Sequence, residues 1–437
     1  MKSHPLSTEV IYELYNKKGG DLIWQSNHRS EPKAEITVKI NNPGQREQIL
    51  KFPFRSYVSN FSRVIQNGLL NIDNSTAGAA INKIIKTTTG GTTYPIAAIH
   101  TMAVNEAALS SPTQTNYGIW IGDGDNLSRL GLTIESGVTG VLAYNDYHLR
   151  GLILADGGSP DTNVVYGVTN VVMSNSDNTL SVSRRFVNNN ASDIKINEIG
   201  LVAKSGSDYF LIARDIITPL NYGVTTPYFL LVAGGTVEVI YSFTITGVDG
   251  IMKNYLKWIS SEFLAANAYS QVIDTGNTAQ TINFSSARTQ KDILAASGNA
   301  LYGIRVGIAT ANIPATANAL TQNLYGVISP IGHGSTAMTL DHGVVVPITM
   351  TQGDNTTVFG LYRDFENKYT ETLSGIWNTG LIIRQGIDPY TYYLIARDGL
   401  SFIANGPINV APGQVLRVKY LLSAVLDANS STASVSI

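Results

Sequence analysis

Residues 209–215 read YFLIARD, and residues 392–398 read YYLIARD, 392 − 209 = 183 positions later. Upstream, residues 117–122 (YGIWIG) are echoed by residues 302–307 (YGIRVG), with an offset of 302 − 117 = 185. Two landmarks in the same order at nearly the same offset predict an internal duplication. The run from Tyr209 to Ala213 is apolar at every position, so both faces of this strand should be covered, the second by a neighbouring domain or subunit. Gly206 and its serine neighbours separate it from residues 199–202 (IGLV), which predicts a hairpin. Gly380-Leu381-Ile382 matches Gly200-Leu201-Val202, and residues 411–415 match 233–237, where the offset falls to 413 − 235 = 178.

Around these landmarks, short β-rich runs at 164–168, 180–187 and 236–245 alternate with clusters of Gly, Asn, Asp and Ser. That rhythm predicts antiparallel sheets. The expected fold is mainly β: two tandem duplicated antiparallel β-sandwich domains at 98–247 and 280–426. An N-terminal hairpin-plus-helix attachment region (1–97), a helical linker (248–279) and a short tail (427–437) complete the reading. In the first region Ile36, Val38 and Ile40 alternate with polar residues, Asn41-Asn42-Pro43-Gly44 turns the chain, and residues 48–52 return as a hairpin. Ser56 is placed to cap a helix with Tyr57, Val58, Phe61, Val64, Ile65 and Leu69 on one face. In the linker, Met252, Tyr255, Leu256, Ile259, Phe263 and Leu264 form a second helical stripe behind a possible cap at Asp249.

Composition narrows the function. The formal net charge is −2, which gives no bulk attraction to nucleic acid or membrane. Charged residues make up 14% of the chain, well below the roughly 25% usual in globular proteins. This suits a protein that hides surface against copies of itself or other partners. Cysteine is absent, which excludes disulfides and thiolate chemistry. The first residues, MKSHPLSTEVIYEL, have no apolar run of signal-peptide type, and no stretch approaches the length of a membrane span. The expectation is synthesis in a cytoplasm without general secretory export; release in a particle would still take the protein outside.

Chemical candidates are few. Asp123 and Asp125 could offer oxygens to a calcium ion, but the EF-hand spacing is incomplete and residues 307–310 of the second copy have no carboxylate. The six histidines form no HxxxH pair, and neither Ser335 nor Ser374 lies in a nucleophile elbow. No catalytic residue, cofactor site or metal site is expected. Lys17-Lys18 and Arg184-Arg185 are short basic pairs, too small for a nucleic-acid patch. The sharpest polar feature is the pair Arg214-Asp215 and its copy Arg397-Asp398, each closing a strand that begins near Tyr209 or Tyr392. These six residues are candidates for an interface, or for a structural role in which Arg satisfies carbonyls or a carboxylate and Asp starts a turn. Glu198 is a candidate ion partner for Arg214; the second copy has Thr379 there, so the pairing is not expected twice.

Three segments together resemble a known group. Residues 55–61 (RSYVSNF) resemble an (R/H)SFVxNF segment near the start of many tailed-bacteriophage proteins of unassigned or virion-associated role. Residues 197–201 (NEIGL) followed by 211–215 (LIARD) resemble the hairpin of the same proteins, and residues 235–239 (GTVEV) fit their final strand. The similarity spans roughly residues 30–245 and, more loosely, 280–426, where residues 377–380 (WNTG) depart from the NEIG pattern. The resemblance implies a structural part of a phage capsid or tail, located in the virion and partnered by other virion proteins and by copies of itself. Twenty-two tyrosines, with Trp120, Trp258 and Trp377, suit subunit interfaces. They equally suit a carbohydrate-binding adhesin on host glycans, the first rival. A hydrolase with paired carboxylates, for which Glu135 and Glu371 are available, is the second.

Overall fold

The structure is a computed structural model that describes residues 6–30, 33–53, 85–86, 88, 92–93, 104, 117–123, 132–134, 149–153, 164–174, 179–205, 208–217, 228–244, 270–275, 278–283, 291–299, 301–308, 340–352, 356–385, 391–399 and 408–425. All its regular elements are strands. The two expected helices, at 56–69 and 251–266, lie outside the described residues.

In chain order the strands begin with β1 (Leu6–Tyr15), β2 (Leu22–Ser30), β3 (Lys33–Asn41), β4 (Gln48–Pro53), β5 (Ile85–Lys86) and β6 (Thr92–Thr93). Next come β7 (Gly118–Gly122), β8 (Leu132–Ile134), β9 (Gly151–Ile153), β10 (Val164–Ser174), β11 (Thr179–Asn188) and β12 (Ile194–Ile196). They continue with β13 (Glu198–Ser205), β14 (Asp208–Ile216), β15 (Phe229–Leu231), β16 (Thr236–Thr244), β17 (Ser270–Thr275) and β18 (Thr278–Asn283). The last eight are β19 (Lys291–Asp292), β20 (Gly303–Ile308), β21 (Asp341–Gln352), β22 (Thr356–Glu366), β23 (Leu373–Gln385), β24 (Thr391–Gly399), β25 (Ile408–Val410) and β26 (Val415–Val425).

Two five-stranded antiparallel sheets have the orders β10-β11-β16-β3-β4 and β21-β22-β26-β1-β2. Strands β11 and β16 alternate between buried and more exposed residues, the mark of a sheet with one face on the core. Two further sheets lie against them. One has the order β14-β13-β7-β9-β8; the other is built around β23, flanked by β20 and β24. In the first of these, β7 is buried at all five positions, and β14 is buried from Phe210 onward. The apolar run is therefore covered on both faces from Phe210 to Ala213, and residues of this same chain do the covering. Leu149, for example, sits so close over β13 that a Cβ on Gly200 would meet it at 2.9 Å.

The sequence hairpin 36–52 is β3–β4, and its Asn42 turn is tied to β15 by bonds to the Leu230 carbonyl and the Val232 amide. Residues 6–53, read from sequence as part of a separate attachment region, belong by hydrogen bonding to both large sheets. Strand β3 pairs with β16, whereas β1 pairs along its whole length with β26, close to the far end of the chain. The β1–β2 hairpin has no counterpart in the sequence reading. Its strands carry Glu9, Glu13, Asn27 and Arg29 among the apolar residues, and this blurs the two-residue period.

Candidate functional site

The polar groups that the fold concentrates lie between the sheets. Arg184 leaves β11 and is buried against the edge of β7. Its Nε donates to the Gly167 carbonyl at 2.8 Å, and its Nη1 to the carbonyls of Tyr117 and Ile119 at 2.9 and 3.2 Å. Arg363 on β22 does the same against β20. Its Nε reaches the Gly343 carbonyl at 2.8 Å, Nη1 reaches Tyr302 and Ile304 at 3.3 and 3.0 Å, and Nη2 reaches Ala296 and Asn299. The reason is backbone accounting: edge carbonyls shut away from water need donors, and a guanidinium supplies five in one plane.

A glycine lies in the strand beside each arginine's acceptors. Gly118 and Gly303 adopt φ of 83° and 81°, a conformation that favours glycine. A Cβ on Gly118 would lie 2.3 Å from the Thr169 hydroxyl and 3.1 Å from Arg184 Nη1; one on Gly303 would lie 2.5 Å from Val345. The strands facing the arginines are bulged at matching places, between Tyr166 and Thr169 and between His342 and Val345.

Four residues beyond each arginine stands a buried asparagine. Asn188 donates to the carbonyls of Ser192 and Leu231, accepts the Asn190 amide, and exchanges backbone bonds with Gly234 and Gly235. Asn367 donates to Glu371 and Val410, accepts the Tyr369 amide, and exchanges backbone bonds with Gly413 and Gln414. The offset is 363 − 184 = 179 for the arginines and 367 − 188 = 179 for the asparagines. It also aligns Gly413 with Gly234, both at positive φ, one position from the sequence match of 413 with 235. Sequence reading missed this set. The visible signal was R-x-F-x-N at 184–188 and again at 363–367.

The sequence-derived candidates lie one layer away. Arg214 is fully buried and donates from Nη2 to Glu198 Oε1 at 2.6 Å; Glu198 Oε2 accepts the Arg150 amide at 2.8 Å. The expected Glu198 partnership is therefore present. Gly200 stands between Trp120 and Arg214 in the register, and Asp215 is buried opposite Ile199. Tyr209 stacks on Tyr117, with centroids 6.1 Å apart, and Lys204 lies over both rings. The side chains of Tyr392, Arg397 and Asp398 lie outside the described residues. Their backbone register puts Arg397 opposite Gly380, as Arg214 is opposite Gly200. It also puts Asn378, rather than Thr379, at the place of Glu198: Asn378 pairs with Gly399 and Gly307, as Glu198 pairs with Ile216 and Gly122.

Thr379 joins a different contact. Its hydroxyl bonds Tyr12 at 3.0 Å and Tyr420 at 2.9 Å, linking β23 to β1 and β26. The pair Arg184-Arg185 is split by the strand, Arg184 inward and Arg185 to solvent. The Asp123 amide donates to Gly151 and its residue is buried, while Asp125 and Glu135 lie outside the described residues. Among the described residues no three His, Asp or Glu side chains gather as metal ligands.

His342 occupies in β21 the place that Tyr166 holds in β10. Tyr166 meets Phe186 edge-on at 4.7 Å and donates to the Ile153 carbonyl; His342 meets Phe365 edge-on at 5.0 Å. His342 is fully buried, and neither ring nitrogen makes a well-formed hydrogen bond. Burial first, then the positive charges of Arg363 and Arg305, push its pKa down to about 3, with the Asn299 backbone and Asp341 opposing weakly. Folded His342 stays neutral, whereas an unfolded histidine takes a proton below about pH 6.5. Stability from this site is thus complete above pH 6.5 and lost as pH falls, with a limiting slope of about 1.4 kcal/mol per pH unit. Urea midpoints measured between pH 7 and 4.5 should fall more steeply for the native chain than for His342→Phe. Parallel curves would refute the assignment.

Set beside known proteins, the chain matches no family profile, no curated protein and no solved structure. The Arg184 and Arg363 guanidinium groups and the Asn188 and Asn367 amides are occupied with backbone carbonyls. That arrangement holds sheets together.

Proposed function

We propose that the protein is a structural component of a tailed-phage particle, attached to the capsid or built into the tail, and that it acts by subunit assembly. Under this reading residues 98–247 and 280–426 are two copies of one β-sandwich module. The observation that carries the modular part is the repeated interior: the Arg184 and Arg363 brackets on equivalent strands and the Asn188 and Asn367 turns, with the arginines and the asparagines at one offset. Buried polar groups devoted to carbonyls suit a scaffold. The resemblance of residues 55–61 and 197–215 to phage proteins supplies the particle, and low charge, absent cysteine and repeated β-modules agree with assembly inside a host.

The glycan-binding alternative needs aromatic side chains grouped at the surface. Tyr12, Tyr166, Tyr241 and Trp120 are interior, and so serve neither a glycan site nor a subunit interface. Electron microscopy of purified particles, with this chain located in the density, tests the proposal. The expected result is a fixed position in every particle, and absence from mature particles overturns it.

A further inference from the structure

Two N-terminal hairpins do the same job in two places. In β3–β4, Ile40 faces Val237 of β16; in β1–β2, Leu14 faces Leu416 of β26. The acceptor positions differ by 416 − 237 = 179 and the hairpin positions by 40 − 14 = 26. The hairpins are thus register-equivalent inserts, and the chain lays down the insert for its last sheet first. Between them stand two residues, Glu31 and Pro32. The β1–β2 hairpin is joined covalently to the sheet containing β16 and by hydrogen bonds to the sheet containing β26.

Charge distinguishes the two inserts. Glu13 faces Arg417 in the register and is ion-paired with Lys419 on β26, while Arg417 is held by both oxygens of Asp364. At the equivalent place in the other hairpin the signs are reversed: Lys39 faces Glu238 and bonds it at 2.9 Å. Exchanging the hairpins would set Glu13 against Glu238, and Lys39 against Arg417 beside Lys419. Like charges directly opposed across strands are destabilising, so each insert is addressed to one acceptor.

We propose that the β1–β2 hairpin is an exchangeable clasp whose partner is a second copy of this chain: at assembly it closes on the neighbour's β26, addressed by the Glu13–Lys419 pair. The proposal rests on the assembly reading above. Every contact of the closed chain is re-formed between copies, including Val10, Tyr12 and Leu14 in the core and the Tyr12–Thr379–Tyr420 hydroxyl chain. Exchange of an identical element therefore costs little beyond lost freedom, and crowding at an assembly site reduces that cost. Reciprocal exchange closes a two-fold dimer, and one-way exchange continues as a ring or a filament.

The chain has no cysteine of its own, so introduced thiols report unambiguously. Glu9 and Leu421 are cross-strand partners, both partly exposed. Full-length Glu9→Cys and Leu421→Cys chains, unfolded, mixed, refolded together and oxidised, should give a covalent dimer that neither gives alone. The doubly substituted chain controls for folding by also closing on itself. Adding Glu13→Lys to the first chain should lower the mixed dimer about tenfold, and Lys419→Glu in the second should restore it. Closure of the double variant within single chains, with no mixed dimer, overturns the clasp; loss without rescue overturns the address. Mixed dimers from a chain absent from particles would leave the clasp standing and sink the phage reading. A chain fixed in particles but giving no mixed dimer would do the reverse.

Discussion

Replacing Arg363 with alanine is expected to cost about 4 kcal/mol, enough to unfold the C-terminal sheets under conditions where the native chain is intact. The guanidinium supplies five hydrogen bonds, to the carbonyls of Gly343, Tyr302, Ile304, Ala296 and Asn299. Its removal strands acceptors that are buried at the edge of β20, each carrying a desolvation penalty of roughly 1–3 kcal/mol where water cannot enter. Lysine should recover little, since a compact ammonium has three donors and cannot bracket two strands. Burial and the nearby Arg305 already bring the Arg363 pKa down to about 10, so this cation is held by geometry more than by opposite charge. Hydrogen exchange read along the chain is the suitable measurement: protection in β20, β21 and β22 should collapse while β7, β10 and β11 keep theirs. Retained protection across β20–β22 would show that the bracket is dispensable.

The second large effect concerns Glu198 and Arg214. A buried ion pair broken on one side leaves an uncompensated charge, at a cost of about 3–5 kcal/mol, whereas replacing both members with apolar residues of similar volume is often near neutral. Glu198→Leu alone should therefore destabilise strongly, because Arg214 is fully buried and the Arg150 amide also loses its acceptor. The double variant Glu198→Leu with Arg214→Met should regain most of that loss. Chemical denaturation of the four chains of this cycle gives the coupling directly. Additive losses would mean that the 2.6 Å contact carries no special energy.

Why the sequence revealed some elements and hid others follows from their chemistry. Strands β11 and β16 alternate in polarity because one face is wet, and β14 is apolar from Tyr209 to Ala213 because both faces are covered from Phe210 on; each pattern is legible along the chain. The Arg214-Asp215 pair is legible because it closes a repeated word, and the Glu198 contact because it lies within a hairpin. Along the chain Arg184 is half of a short basic pair. Its burial depends on β7, which arrives from more than sixty positions earlier, and on a glycine whose missing side chain leaves the space. No window of sequence contains both.

The amino-acid order alone settled that this is a β protein with repeated words, free of thiol chemistry and low in charge, since those properties belong to composition and to local period. Only the tertiary structure decided which sheet receives each N-terminal hairpin, and which polar residues end up inside. Strand pairing joins residues some 400 positions apart, as Tyr12 meets Val418, and such partners are selected by matched register and opposed charge across space, which no stretch of chain displays by itself.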